Sequence, residues 1–248
     1  MTDRRILRLS GRDTTDFLQG IVTNDVRKLE QGLVYAALLT PQGKYIADFF
    51  LVPDGADVLL DVAEPLGDAL AQRLALYKLR ADVEIVDSGL HLHRGLGDAP
   101  PDAFADPRHP ALGWRAYRET PQDAQDVDWT ALRVEHLVPE TGIELTPDTF
   151  ILEAGFDRLS GVDFRKGCYV GQEVTARMRH KTELRKGLVR VRIEGPAGPG
   201  TEIMADGKAA GRLLSRAGEH AIAYLRFDRA GSEMLAGEAK VEMEAQPV

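Results

Sequence analysis

The chain has 248 residues, of which 44% are hydrophobic, 28% charged and 6% aromatic. That balance suits a folded protein of one large domain or two modest ones and excludes intrinsic disorder and fibrous repeats. The formal net charge of -8 argues against a surface built throughout for nucleic acid, and the single cysteine, Cys168, excludes an internal disulfide, a Cys-rich zinc module and a cluster held by this chain's thiolates alone.

The first ten residues carry Arg4, Arg5 and Arg8 without an apolar run of signal-peptide length. No segment approaches the roughly 20 apolar residues of a membrane span, so a cytoplasmic protein with no membrane partner is expected. Asp13 reads as the N-cap of a short helix over Thr14 to Gln19. Leu33 to Leu39 and Tyr45 to Val52 read as paired strands about the turn Thr40-Pro41-Gln42-Gly43, and Asp57 to Val62 extends the sheet. Leu66, Leu70, Leu74 and Tyr77 recur at helical spacing behind Pro65, and Val83 and Ile85 then alternate with acidic residues as a half-buried strand. Residues 97 to 128, rich in Pro, Asp, Ala and Gly, read as an irregular surface excursion with Trp114 and Tyr117 as anchors. A helix over about Thr130 to Val138 stops at Pro139. From Leu188 the pattern changes to short strands with Gly-rich turns, at about Leu188 to Glu194, Glu202 to Met204, Lys208 to Leu214, Ala221 to Leu225 and Glu238 to Met243, the signature of a small β-barrel. The expected class is α+β, with a boundary between residues 1–185 and a barrel domain at 186–248.

Charge is unevenly spread. Residues 1 to 150 hold 15 Lys+Arg and 25 Asp+Glu, whereas residues 165 to 192 hold nine basic side chains against Glu173 and Glu183. Cys168 lies inside this basic segment, within Lys166-Gly167-Cys168-Tyr169-Val170-Gly171-Gln172-Glu173. The two glycines permit a tight backbone, and Gln172 to Arg179 is free of helix breakers. A thiol just ahead of a helix N-terminus and two residues from Lys166 sits in positive potential, which favours the reactive thiolate; the alternative is a buried structural cysteine in a tight loop. Arg177, Arg179, Lys181, Arg185 and Lys186 form either a solvated charged face or a site for a polyglutamate tail, a phosphate or RNA. His91 and His93 share a strand face but have no third ligand for a metal.

Lys166-Gly167-Cys168-Tyr169-x-Gly171-Gln172-Glu173-x-x-Ala176-Arg177 resembles the signature of the YgfZ family, folate-binding proteins of iron-sulfur protein maturation related to the glycine-cleavage aminomethyltransferase and to mitochondrial late-acting assembly factors. Phe17-Leu18-Gln19-Gly20 with Thr23-Asn24-Asp25-Val26, Leu39-Thr40-Pro41-Gln42-Gly43-Lys44 with Ala47-Asp48, Tyr77-x-Leu79-Arg80-x-x-Val83, and Gly211, Ser215, Gly218 and Ala221 resemble further family segments. The resemblance implies an aminomethyltransferase-like fold, a central tetrahydrofolate cavity and a C-terminal barrel. Glu153 of Glu153-Ala154-Gly155 stands where the transferases carry the glutamate that accepts pterin N–H donors, a match for the two oxygens of a carboxylate. Ala47-Asp48 replaces two successive acidic residues, which counts against aminomethyl transfer; Asp48 faces either the folate or water. Leu137 and Thr182 stand where glycine is common.

The expected ligand is tetrahydrofolate or a derivative, with Glu153, Asp48, Lys166, Gln172, Glu173 and Arg177 as binding residues, Cys168 as the functional thiol and Asp48 as a second catalytic candidate. No stable metal is expected from this chain alone. The resemblance implies a factor for iron-sulfur assembly or repair in client enzymes, including tRNA-modifying ones, acting without classical turnover and as a monomer. A folate-dependent one-carbon transferase and a non-enzymatic RNA or protein adaptor are the alternatives, RNA not being expected as the main ligand.

Overall fold

The computed structural model describes residues 3–181, 183–231 and 233–244. These pack as two units: one runs to Gln125 and resumes over Phe156–Ala176, while the other takes Asp126–Gly155 and the chain from Arg177 onward.

The first unit is built on an antiparallel sheet of β1 (Arg4–Ser10), β2 (Val34–Leu39), β3 (Tyr45–Asp54), β4 (Asp57–Ala63) and β5 (Glu84–Asp87), in the order β2-β3-β4-β1-β5. Helices α1 (Thr14–Gln19) and α2 (Gly67–Lys78) supply Leu18, Leu70 and Leu74 to the core on one face, where they meet Leu7, Leu9, Ala36, Leu38, Ala47, Phe49, Leu51, Leu60 and Val62. Alternate residues point to opposite faces of a strand, so the same register sends Tyr35, Asp48, Phe50 and Asp61 to the other face. Burial on both faces explains why β2 is apolar throughout.

The second face is covered by a feature that the composition concealed. Residues 97 to 128 are not simply irregular: β7 (Phe104–Ala105) and β8 (Trp114–Arg118) join β6 (His91–Gly95) in a three-stranded sheet of order β6-β8-β7. Its strands are two to five residues long and pair with partners remote in sequence, beyond the reach of local periodicity. From β8, Arg115 and Tyr117 reach the fully buried Asp61 with Nη2–Oδ2 and Oη–Oδ2 distances of 2.5 and 2.9 Å, and Arg4 Nε approaches Oδ1 at 2.6 Å. Burial penalises the Asp61 carboxylate, but Arg4 and Arg115 together hold it below the usual carboxylate range. Asp13 does not cap α1 through its side chain; its carboxylate instead accepts the Asp82 backbone N–H at 2.8 Å.

In the second unit α3 (Trp129–Glu135) is capped by the Asp128 carboxylate, which accepts the Ala131 N–H. Leu137, where glycine was expected from the resemblance, adopts φ 51°, the left-handed region that costs an L-residue about 1–2 kcal/mol. Thr182 lies outside the described residues. After α4 (Gln172–Lys181), strands β9 (Lys186–Glu194), β10 (Glu202–Ala205), β11 (Lys208–Ala217), β12 (His220–Arg226), β13 (Met234–Ala236) and β14 (Ala239–Met243) close into a barrel of order β10-β11-β12-β9-β14-β13. Val189, Val191 and Ile193 fill its interior with Leu213, Leu225 and Val241. The first barrel strand starts at Lys186, and the barrel packs in one unit with residues 126–155. Within that unit the buried Arg133 guanidinium meets Glu140 and Glu144 and donates to the Ser215 hydroxyl of β11, which fastens the α3 segment to the barrel.

Candidate functional site

The signature loop and α4 give Cys168 its setting. Cys168 is exposed, four residues ahead of the start of α4 at Gln172, which disposes of the buried structural alternative. Gly171 has φ +83°, and a Cβ there would stand 2.6 Å from the Thr40 carbonyl oxygen and 3.2 Å from the Gly43 Cα. Gly43, at φ +75°, is equally constrained by Val174 of α4. The hairpin turn and the signature thus meet glycine to glycine, a close approach that a side chain would prevent. Gly167 has open space around it and no such requirement.

Lys166 points inward. It is 7% exposed, its Nζ donates to the carbonyl oxygens of Gln19 at 2.8 Å and of Val22, and it lies 5.2 Å from the Tyr169 ring centroid. Burial pushes its pKa down to about 8, against the opposing charges of Asp25 and Asp163. The cation expected beside the thiol is therefore committed to main-chain acceptors. Gln172 is half-buried at the first turn of α4, and Glu173 and Arg177 are exposed on the same helix.

Asp48 does not face water. It is 3% exposed, and its two oxygens accept the phenolic hydrogens of Tyr45 at 2.7 Å and Tyr35 at 3.0 Å. Burial and the Asp48 charge raise the Tyr35 pKa well above its ordinary value. The Tyr35 ring stacks on Phe156 with centroids 5.1 Å apart, and the Arg108 guanidinium, 5.5 Å from its centroid, is itself held by Asp106. Ala47 lies in the apolar core on the opposite face. A carboxylate at that position would be buried among hydrocarbon, so the replacement of the expected acidic pair by Ala47-Asp48 follows from packing.

Glu153 belongs to the barrel unit. Tyr224 of β12 donates to its Oε2 at 2.6 Å, and the Lys186 ammonium lies 3.8 Å from the same oxygen and 5.4 Å from the Tyr224 ring. Burial and the Glu153 carboxylate raise the Tyr224 pKa. Among the described residues nothing donates to Oε1, and that atom is not sealed from solvent. Sequence reasoning missed Tyr35, Tyr45 and Tyr224; phenols in otherwise apolar strands were the available signal. The structure brings Lys166, Cys168 and Gln172 onto one loop and helix start. Asp48 lies on the sheet face with Tyr35 and Tyr45, and Glu153 and Arg177 fall in the other unit. His93, one of the two histidines considered as ligands, has its Nε2 2.7 Å from the Thr120 carbonyl oxygen.

Residues 185–247 match the family model described as CAF17, C-terminal beta-barrel domain. The iron-sulfur cluster assembly factor IBA57, mitochondrial, of Mus musculus is 30% identical over 272 residues, covering 91% of this chain and 76% of the mouse protein. The chain belongs to the IBA57 family. IBA57 homologues of Mycosarcoma maydis and Pyricularia oryzae are 32% and 33% identical over 75% and 78% of the chain, and the match spans only about half of those proteins, 54% and 55%. Among solved structures, the glycine cleavage system aminomethyltransferase T from Bartonella henselae matches with a TM-score of 0.76 over 96% of this chain and 81% of its own, at 14% identity. That identity establishes the aminomethyltransferase-like fold alone.

Two expectations change. The signature suggested YgfZ, whereas the relatives are IBA57 proteins, a related line. The cytoplasmic placement is overturned, since the IBA57 relatives are named as mitochondrial. Mitochondrial targeting segments are amphipathic and Arg-rich, so the lack of an apolar run bears only on secretion.

Proposed function

We propose that this IBA57-family protein is a tetrahydrofolate-binding factor for iron-sulfur cluster assembly or repair, with Cys168 as the thiol that meets the cluster or its carrier. The observation that carries the reading is an exposed sole cysteine on a loop that glycine contacts and main-chain bonds hold in place. Cys168 gives up its proton to ligate one iron, and the remaining ligands of a cargo cluster come from a partner protein or a small thiol. Client enzymes include those that modify tRNA.

Glu153 fits the pterin. Its Oε1 is open to a donor while Tyr224 and Lys186 fix the carboxylate through Oε2, which pre-orients an acceptor for pterin N–H groups. Gln172, Glu173 and Arg177 are further candidate folate contacts. Bound tetrahydrofolate supplies a reduced pterin, a carrier of one-carbon units. Asp48, enclosed by two phenols, lacks the access a general acid or base needs, which speaks against the one-carbon transferase. Lys186 is engaged with Glu153 and Tyr224, which weakens the case for an RNA-binding basic face.

The test pairs two variants. Glu153→Gln should weaken tetrahydrofolate binding by about 10- to 100-fold in calorimetry, the worth of a charge-assisted hydrogen bond. Cys168→Ala should bind folate normally yet leave client enzymes short of clusters in a strain lacking the protein. Normal folate affinity in the first variant, or full client rescue by the second, would remove the corresponding residue from the function.

A further inference from the structure

The segment Gln19–Lys28 has no part in the function proposed for this chain, yet it makes a concentrated set of contacts to the loop that ends in Cys168. The Thr23 hydroxyl donates to the Gly161 carbonyl at 2.7 Å and accepts the Ala37 N–H of β2 at 2.8 Å. Asn24 Nδ2 donates to both the Ser160 and Tyr35 carbonyls, at 2.7 and 2.8 Å. The Asp163 N–H donates to the Thr23 carbonyl, and Lys28 Nζ lies 2.7 Å from the Asp163 carboxylate. Gln19 braces the segment from within, its amide donating to Asp25 and accepting the Val26 N–H. The last tie before the thiol is Lys166, whose amine enters the segment and donates to Gln19 and Val22.

We propose that Lys166 is a positioning residue, the closing bolt of a latch in which Gln19–Lys28 holds the Cys168 loop against the sheet unit. Lys166 then acts through Cys168 by fixing the backbone that displays it, and does not itself contact the ligand. The proposal rests on the functional reading of Cys168 for its purpose, while the latch is physical and can be read by itself.

Two carbonyl oxygens face this amine, and replacing it by an apolar side chain takes the donor from both at once. Beside it the ring of Tyr169 packs against the amine, Lys28 pairs with Asp163, and the Arg165 N–H donates to that same carboxylate.

A nitroxide joined by a thioether to Cys168 labels the chain once, because there is no other cysteine. Electron spin resonance should show a mobile probe in Lys166→Met against a restrained one in the wild type, with the urea midpoint of the unit little changed. Lys28→Met, at a half-exposed position that tolerates change, should raise probe mobility by a smaller amount because it removes one ion pair of the latch and leaves the amine bonds. Spectra of Lys166→Met that superimpose on wild type would overturn the latch. If Lys166→Met does not fold, Lys28→Met decides: unchanged probe mobility in that variant would overturn the latch. These spectra read the latch whether or not the thiol serves a cluster, and client cluster content with Cys168→Ala reads the thiol whether or not the latch exists.

Discussion

Asp48 in the sheet unit and Glu153 in the barrel unit are both nearly buried carboxylates with tyrosine partners, and they are wired differently. Asp48 spends both oxygens on phenols, one each from Tyr35 and Tyr45. Glu153 gathers Tyr224 and Lys186 onto Oε2 and leaves Oε1 without a donor among the described residues. A carboxylate with both oxygens bonded internally serves the fold, whereas one held through a single oxygen keeps an acceptor for a ligand. Residue type and burial are alike at the two positions; the difference lies in how many oxygens the protein itself consumes.

The largest effect is expected in the charged layer on the same sheet face as Asp48. Arg115→Met removes a guanidinium from the fully buried Asp61 and should cost about 3–5 kcal/mol in urea denaturation, because a buried charge loses half of its compensation. A loss below 1 kcal/mol would mean that Arg4 and Tyr117 suffice and that the charged layer is not structural. Next, Asp48→Asn should lower stability by about 1–3 kcal/mol, since one phenol then faces an amide donor, and should leave folate affinity unchanged. Weaker folate binding with full stability would reverse the roles assigned to the two carboxylates. The smallest effect is expected for Tyr224→Phe, about 0.5–1.5 kcal/mol of stability, with folate binding weakened less than by Glu153→Gln because Oε1 survives. Tighter folate binding in Tyr224→Phe would show that the phenol competes with the ligand for the carboxylate.

Much of this arrangement could be read from residues in order. The strands of the hairpin and most of the barrel announced themselves because alternation or unbroken apolar runs follow directly from which faces are covered. The Cys168 loop and the start of α4 were legible from glycines and the absence of breakers. What escaped depends on contacts remote in sequence. The β6-β8-β7 sheet uses strands too short for a periodic signal, and β13, three residues long, is hidden for the same reason. Asp13 has the chemistry of a cap but is taken by Asp82. Lys166 was placed correctly beside Cys168 in sequence, yet the direction of its amine is decided by carbonyls at Gln19 and Val22 that no local pattern reveals. Tyr224 reaches Glu153 across 71 residues, so the asymmetry of that carboxylate is a tertiary property.

The latch also has a history written into its connectivity. Its side-chain bonds to the Cys168 loop join residues separated by 135 to 147 positions, and between its halves the chain leaves the sheet unit to build residues 126–155 of the other. Contacts of such sequence separation bear a large loop-closure entropy and settle late in folding. During synthesis the hairpin that receives Gly171 and the segment that receives Lys166 exist long before the cysteine does. The thiol is thus presented only once both ends of the unit have met, and a chain truncated before residue 160 carries the receiving segment without the loop it holds.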